Sequence, residues 1–254
     1  MKHIVALSGG KDSVCLALAL KEREPQDYEY ICTPTGDELP EMIEHWVKLE
    51  KLLGQPIKRV TDKNRTIMGM ALEQKCLPNY RMRWCTRMLK IVPYQEYLLN
   101  SAPAVSYIGI RADEVDQREG VDHSSIEGIT NRYPLVEWGW GINEVMGYLR
   151  EKGVTIPERT DCGMCFYQTL AEWWRLWKNY PDRYQRYVDM EEAVGGLRGK
   201  KVTLRSEQRD TWPAALKDLR AEFERGRTPR GALKQGDLFD GMASRGRMCS
   251  FCSR

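Results

Sequence analysis

The sequence predicts an α/β fold: a parallel sheet with helices on both faces, followed by a helical, cysteine-bearing C-terminal extension. Three observations predict it. Short apolar runs recur through roughly the first 110 residues with helical segments of about 10–15 residues between them, the pattern of βαβ units. The first apolar run passes directly into a glycine turn and an apolar-rich helix. Beyond residue 140 the strand-like runs give way to segments rich in Trp, Tyr and Arg at helical spacing.

The elements follow in order. His3 to Leu7 (HIVAL) reads as a strand, Ser8 to Ser13 as the turn, and VCLALALKERE as the helix after it. Tyr28 to Thr33 is a second strand. Glu41 to Leu53 is a helix, with apolar residues at Met42, Ile43, Trp46, Leu49, Leu52 and Leu53, and Pro56 to Val60 is a third strand. Thr86 to Leu99 reads as a helix interrupted at Pro93, and Ala104 to Ile110 (AVSYIGI) as a buried strand. Residues 142–152 and 168–192 read as helical, and 197–254 as Gly, Arg and Ser clusters around an amphipathic piece from Pro213 to Arg225. Gly195-Gly196 marks the boundary, dividing an α/β domain of residues 1–195 from a basic appendage of residues 196–254.

The 254 residues are 42% hydrophobic and 30% charged. No run approaches the ~18 apolar residues of a membrane span, and the chain enters its first strand without a leader, which points to a cytoplasmic protein with no membrane partner. Net charge is +3, unevenly spread: residues 197–254 carry 14 Lys+Arg against 7 Asp+Glu. That excess suits either a polyanion such as nucleic acid or a solvated tail. Cysteine occurs eight times, at 15, 32, 76, 85, 162, 165, 249 and 252. In a reducing compartment, paired spacing such as Cys162-Gly-Met-Cys165 and Cys249-Ser-Phe-Cys252 points to metal, iron–sulfur or redox chemistry rather than structural bridges.

Ser8-Gly9-Gly10-Lys11-Asp12-Ser13 sets two glycines between strand and helix. Backbone amides there can approach a phosphate closely, and the helix N-terminus adds partial positive charge. Neither the Walker spacing nor the dinucleotide G-x-G-x-x-G is present. Arg111 and Arg118 follow a buried strand, at the sheet edge where open α/β folds bind ligands, and planar guanidinium groups suit phosphate or sulfate. Asp37 and Glu38 follow another strand and suit Mg²⁺ or a ribose hydroxyl. Taken singly, each charged residue also fits a surface salt bridge.

SGGKDS resembles the pyrophosphatase (PP) loop of the ATP pyrophosphatase superfamily, whose sheet is of the adenine nucleotide alpha-hydrolase-like (Rossmann-like) type. Three further segments resemble the phosphoadenylyl-sulfate (PAPS) reductase-like family: Thr35 to Glu41 (its DTGxExPE, with Pro34 for Asp), Gly109 to Arg118 (its GIRxxESxxR, with Val115 for Ser), and Pro134 to Trp138 (its PLxxW). The resemblance implies ATP and Mg²⁺ as ligands, cleavage between the α and β phosphates, and adenylation of an acceptor. It assigns nucleotide binding to Ser8, Gly9, Gly10, Lys11, Asp12, Ser13, Asp37, Glu38, Gly109 and Arg111. Catalytic roles go to Lys11, Asp12, Arg111, Arg118 and Cys85.

Arg83 to Pro93 (RWCTRMLKIVP) is similar to the iron–sulfur adenylyl-sulfate reductase segment CCxxRKxxPL, matching at Cys85, Lys90 and Pro93. It is closer still to the sulfur-activating subunit of DNA phosphorothioation systems. That likeness implies a [4Fe–4S] centre held by Cys85, Cys162 and Cys165, with Cys76, Cys249 or Cys252 as fourth ligand. Two C-x-x-C pairs could instead hold Zn²⁺, or the thiols could carry persulfide or disulfide. Cys15 and Cys32 fall in the expected core as inert small hydrophobes. His3, His45 and His123 show no ligand or triad spacing. Trp173, Trp174, Trp177, Tyr180, Tyr184 and Tyr187 recur at helical spacing, as core packing or as a base-stacking platform interleaved with Arg175, Arg183 and Arg186.

Together these point to an ATP-dependent sulfurtransferase-type enzyme served by a sulfur donor such as a cysteine desulfurase. The alternatives are a sulfonucleotide reductase using thioredoxin and a tail cysteine, and a nucleic-acid-binding module on an inactive enzyme fold.

Overall fold

The computed structural model describes residues 1–61, 65–117 and 126–233. Five strands, β1 (Lys2–Ala6), β2 (Tyr28–Cys32), β3 (Ile57–Arg59), β4 (Ala104–Tyr107) and β5 (Ile129–Arg132), form one parallel sheet in the order β3-β2-β1-β4-β5. The chain moves outward from β1 in one direction through β2 and β3, then returns to place β4 on the other side of β1. The crevice at the carboxyl ends of β1 and β4 is therefore the switch point of the sheet, where open α/β folds bind ligands.

Strands buried on both faces read as continuous apolar runs, and β1 does so for that reason. Val5 and Leu7 face one side, against Val14 and Leu16 of α1 (Lys11–Arg23), Met42, Trp46 and Leu49 of α2 (Pro40–Leu53), and Val145 and Leu149 further along the chain. Ile4 and Ala6 face the other side with Ile31 and Ala104, against Tyr94 and Leu98. Burying each such Leu or Ile contributes about 1.5–3 kcal/mol.

Differences from the sequence reading have local causes. The short α3 (Ile67–Glu73) follows a Thr66 side chain that accepts from Gly69 N. The helix expected to be interrupted at Pro93 is continuous: α4 (Trp84–Thr86), a π-helical turn (Arg87–Ile91) and α5 (Val92–Leu99) run on without a gap. The widened turn, with Val92 N bonding Arg87 O, absorbs the proline, which sits in the first turn of α5 where it owes no hydrogen bond. After α6 (Pro134–Glu137) and α7 (Ile142–Glu151), the helical stretch expected at 168–192 is two helices, α8 (Leu170–Asn179) and α9 (Pro181–Arg198), broken by Pro181. Thr169 and Glu172 close α8 with a capping box.

The boundary expected at Gly195-Gly196 falls inside α9. Beyond it, Leu204 and then Leu216, Leu219 and Phe223 of α10 (Leu216–Glu224) join the same apolar cluster as Trp173, Tyr184 and Tyr187. The aromatic run is thus core: Trp173, Tyr184 and Tyr187 are fully buried, and Trp173 packs edge-on against both tyrosines. Glu191 pins the returning segment, its two carboxylate oxygens accepting from Leu204 N and Leu216 N, each at 2.7 Å. Among the described residues no helix is long and apolar enough to cross a membrane.

Candidate functional site

The turn after β1 takes its shape from Gly9, whose φ of +91 is a left-handed conformation. A Cβ there would lie 2.1 Å from Met42 Cε and 2.7 Å from Trp46 Nε1. The loop is braced from within and below. Ser13 Oγ accepts from Gly9 N and donates to Gly10 O, and Ser8 Oγ accepts from Gly10 N. From α2, Trp46 Nε1 donates to Ser8 O and His45 Nε2 to Gly9 O, both at 3.1 Å. Burial lowers the His45 pKa to about 4, so at neutral pH the ring is uncharged and its Nε2 carries the proton that the carbonyl accepts.

Lys11, Asp12 and Ser13 open α1 almost completely buried. The end of β4 presses on them: a Cβ at Gly109 would lie 3.1 Å from Ser13 N and 3.2 Å from Asp12 O, which only glycine avoids. Lys11 Nζ sits 3.3 Å from one oxygen of Asp12, and Arg111 Nη1 lies 3.0 Å from the other. Arg111 also reaches Asp113 at 2.8 Å and Glu114 at 2.9 Å. Expected to meet a phosphate, Arg111 here directs all three guanidinium nitrogens to carboxylates and fixes Asp12 against the β4 turn. Arg118 lies outside the described residues.

Asp37 and Glu38 are likewise engaged. Glu38 accepts from Thr35 N, Thr35 Oγ1 and Gly36 N, closing the turn after β2. Asp37, 3% exposed, accepts from Tyr187 Oη at 2.9 Å and from Met164 N at 2.9 Å, while its main-chain carbonyl accepts from Gly163 N at 2.8 Å. Burial raises its pKa against these donors. Neither carboxylate is an open Mg²⁺ ligand in this arrangement. Asp37 instead ties the turn beside the glycine loop to the Cys162–Cys165 turn, about 125 residues away in sequence.

That second turn is held from all sides. Gln168 Nε2 donates to Gly163 O and Cys165 O, and Arg159 donates to Cys162 O, Gly163 O and Gln168 Oε1. Arg209, from beyond α9, donates to Gln168 O at 2.9 Å. Gly163 leaves room for the Tyr187 hydroxyl, which would meet a Cβ at 1.8 Å. The turn also reaches the glycine loop, since a Cβ on Gly10 would lie 3.7 Å from Thr160 Oγ1.

Cys85, Cys162 and Cys165 lie within electrostatic reach of Lys90 of the π turn. Burial works against the Lys90 charge, but the neighbouring Cys162, Asp161, Cys165 and Cys85 together raise its pKa. A hydrogen bond joins the pair, lowering the Cys165 pKa and raising that of Cys162. Burial raises the Cys85 thiol. Cys76 stands apart: its thiol donates to Leu77 O and accepts from Arg198 at 3.7 Å. Cys249 and Cys252 lie outside the described residues, as does His123. Among the described residues no group of three or more His, Cys, Asp or Glu is arranged to hold a metal ion, so the expected four-thiolate centre is not assembled there. Cys15 and Cys32 are buried in the core, where desolvation raises their pKa, that of Cys32 to about 12.

The sequence reading missed His45 and Trp46 as supports of the loop, although both lie on the buried face of the predicted helix. It also missed Arg159, Gln168 and Tyr187, for which the only local signal was proximity of the first two to the cysteine pair.

A family model described as phosphoadenosine phosphosulfate reductase domain matches residues 2–171. Two uncharacterized proteins of Methanocaldococcus jannaschii are similar. One is 29% identical over 202 residues, 75% of this chain and 47% of that protein; the other is 23% identical over 201 residues, 74% and 41%. The chain therefore spans less than half the length of each. The crystal structure of a phosphoadenylyl-sulfate reductase from Candida auris, in a phosphate complex, superposes with a TM-score of 0.48 at 16% identity, covering 62% of this chain and 76% of that one.

Proposed function

Because the chain belongs to the phosphoadenosine phosphosulfate reductase domain family, we propose that it is a PP-loop enzyme that binds ATP–Mg²⁺ on Ser8 to Ser13, splits it to AMP and pyrophosphate, and adenylates an acceptor oxygen for sulfur transfer. The observation that carries the reading is the link between a complete glycine loop at the sheet's switch point and a cluster of three thiols, made through Asp37 and Thr160.

The chemistry follows from these groups. First-turn amides of α1 and the Lys11 ammonium offset charge on the phosphates, while Arg111 and Lys11 hold Asp12 in place. The acceptor oxygen attacks the α phosphorus and pyrophosphate leaves. A persulfide on one of the three cysteines, charged by an external donor such as a cysteine desulfurase, then attacks the activated carbon through its terminal sulfur. The C–O bond breaks and AMP departs. A neighbouring thiol attacks the remaining S–S bond, frees the thiolated product and leaves a disulfide that an external dithiol reduces. The hydrogen-bonded Cys162–Cys165 pair suits that resolving step.

An iron–sulfur centre would draw on Cys85, Cys162 and Cys165 with Cys249 or Cys252 as the fourth thiolate. Iron and sulfide analysis of anaerobically purified protein reads this directly: about four irons per chain assigns the centre, and iron-free protein leaves the thiols as sulfur carriers.

The family's description favours a second reading, reduction of adenylyl or phosphoadenylyl sulfate in the same crevice with a tail cysteine as nucleophile. One experiment separates the two. Radiolabelled ATP with Mg²⁺, candidate acceptors and persulfide sulfur should yield AMP and pyrophosphate, with the activity lost in Lys11→Ala. Release of sulfite from the sulfonucleotide with thioredoxin, abolished by Cys249→Ser or Cys252→Ser and without ATP cleavage, would replace the first reading by the second.

A further inference from the structure

We propose that the Thr160 hydroxyl is a phosphate ligand, closing the nucleotide cradle from the side of the cysteine turn. The inference rests on the nucleotide-binding reading above and names a donor that the glycine loop does not supply.

The amides of the two glycines are already engaged. Gly9 N donates to Ser13 Oγ and Gly10 N to Ser8 Oγ, while Trp46 and His45 hold Ser8 O and Gly9 O at the opposite edges of the same two peptide planes. Neither plane can turn its N–H outward without breaking two hydrogen bonds. The open donors lie one step further along the chain. Among the described residues nothing accepts from Lys11 N or Asp12 N, and α1 begins without a side-chain cap. An oxyanion there meets both N–H groups and the positive end of the helix dipole, and its remaining oxygens call for donors from another segment.

Thr160 stands beside that end. A Cβ on Gly10, the residue that opens α1, would find two atoms within 4 Å beyond its own chain neighbours: Ser8 Oγ at 3.6 Å and Thr160 Oγ1 at 3.7 Å. The Ser8 hydroxyl is bonded to Gly10 N and Ser13 Oγ. The half-buried Thr160 hydroxyl has no hydrogen-bond partner among the described residues. Its place is nevertheless fixed from both sides. Val154 and Ile156 are buried in the core with Leu7 and Trp46, and just beyond Thr160 the turn is held where Arg159 donates to Cys162 O and Gly163 N donates to Asp37 O. A cation at this spot would oppose the helix dipole, and an apolar group would leave the hydroxyl and both N–H groups unpaired. A phosphate accepts from all three, with the added strength of an ionised acceptor. Because Thr160 precedes Cys162 by two positions, the bound nucleotide itself then ties the start of α1 to the cysteine turn.

The test is calorimetric titration of the full chain with ATP–Mg²⁺. Thr160→Val keeps the side-chain shape and removes the hydroxyl, and it should raise the Kd at least about tenfold, the loss of one hydrogen bond to a charged acceptor. Thr160→Ser, which keeps the hydroxyl, should bind within about twofold of wild type. Urea midpoints of all three chains should coincide, because the free protein makes no bond through this hydroxyl. Wild-type affinity in Thr160→Val, or a loss that Thr160→Ser fails to restore, would overturn the proposal and leave the ATP reading standing. A wild-type chain that binds adenylyl sulfate but not ATP–Mg²⁺, with the same loss in Thr160→Val, would retire the ATP reading and leave Thr160 as a phosphate ligand; a chain that binds neither would retire both.

Discussion

Alanine at Gly9 and at Gly10 should separate folding from binding. At Gly9 the backbone has φ +91, and the new Cβ would lie 2.1 Å from Met42 Cε and 2.7 Å from Trp46 Nε1. Left-handed backbone costs a residue with a Cβ about 1–2 kcal/mol. The Met42 end can swing away, but the Trp46 indole is fixed by its 3.1 Å bond to Ser8 O. Moving it loses that bond and strains a packed face, so Gly9→Ala should cost about 3–5 kcal/mol in all. Urea denaturation should show a lower midpoint at unchanged slope. Gly10 has φ −74 and ψ 161, and its Cβ would find Ser8 Oγ at 3.6 Å and Thr160 Oγ1 at 3.7 Å, ordinary contacts. Gly10→Ala should therefore keep its stability within about 0.5 kcal/mol. On the proposed reading its methyl would crowd a phosphate approaching the first amides of α1. Losing one charge-assisted hydrogen bond, about 1.5–3 kcal/mol, raises the Kd for ATP–Mg²⁺ roughly 10- to 100-fold by calorimetry. Wild-type ATP affinity in Gly10→Ala would refute the phosphate-cradle argument; wild-type stability in Gly9→Ala would refute the packing argument.

Gly163→Ala drives a Cβ to 1.8 Å from Tyr187 Oη and should cost about 2–4 kcal/mol in urea, because the hydroxyl must leave Asp37; an unchanged midpoint would remove Asp37 and Tyr187 as the clamp on the cysteine turn. Two buried groups set the pH dependence of stability in opposite senses. The Glu191 carboxyl is pushed up from 4.5 to about 7 by burial, so the folded chain holds a proton there that the unfolded chain has released, and stability falls as pH rises through that window by about 3 kcal/mol. His45 is pushed down from 6.5 to about 4, so the unfolded chain binds the extra proton and stability rises with pH between those values. The two slopes offset each other between about pH 4.5 and 6.5, so Glu191→Gln should turn a flat wild-type profile there into the His45 rise alone and remove the fall between about pH 6.5 and 7; an unchanged profile in that variant would show that another group is responsible.

The front of the fold was legible because its signals are contiguous. The HIVAL run, the glycine turn and the apolar helix adjoin one another, and α2 shows a clean helical period. β5 was missed because Ile129-Thr-Asn-Arg132 is a half-exposed edge strand with one apolar residue, made a strand only by pairing with β4. Gly195-Gly196 suggested a break, yet α9 continues because Tyr184, Tyr187, Val188 and Val194 bury one face of it. At the site, residue types were legible and partners were not. Arg111 was read as a phosphate ligand from its chemistry, whereas three carboxylates occupy it. Asp37 was read as a metal or ribose ligand, whereas its partners come from Met164 and Tyr187, the latter 150 positions away. Such pairings are set by how the helical region folds back on the sheet, and no local pattern encodes them.

The central claim is that the glycine loop and the three thiols act as one unit. It is tested most directly by the ratio of AMP formed to sulfur transferred, with radiolabelled persulfide sulfur from a cysteine desulfurase, ATP–Mg²⁺ and each candidate acceptor in turn. One AMP per sulfur is expected, with transfer lost in Lys11→Ala and in at least two of Cys85→Ser, Cys162→Ser and Cys165→Ser, those of the persulfide carrier and the resolving thiol. Sulfur transfer without AMP, or undiminished transfer in the cysteine variants, would contradict the account.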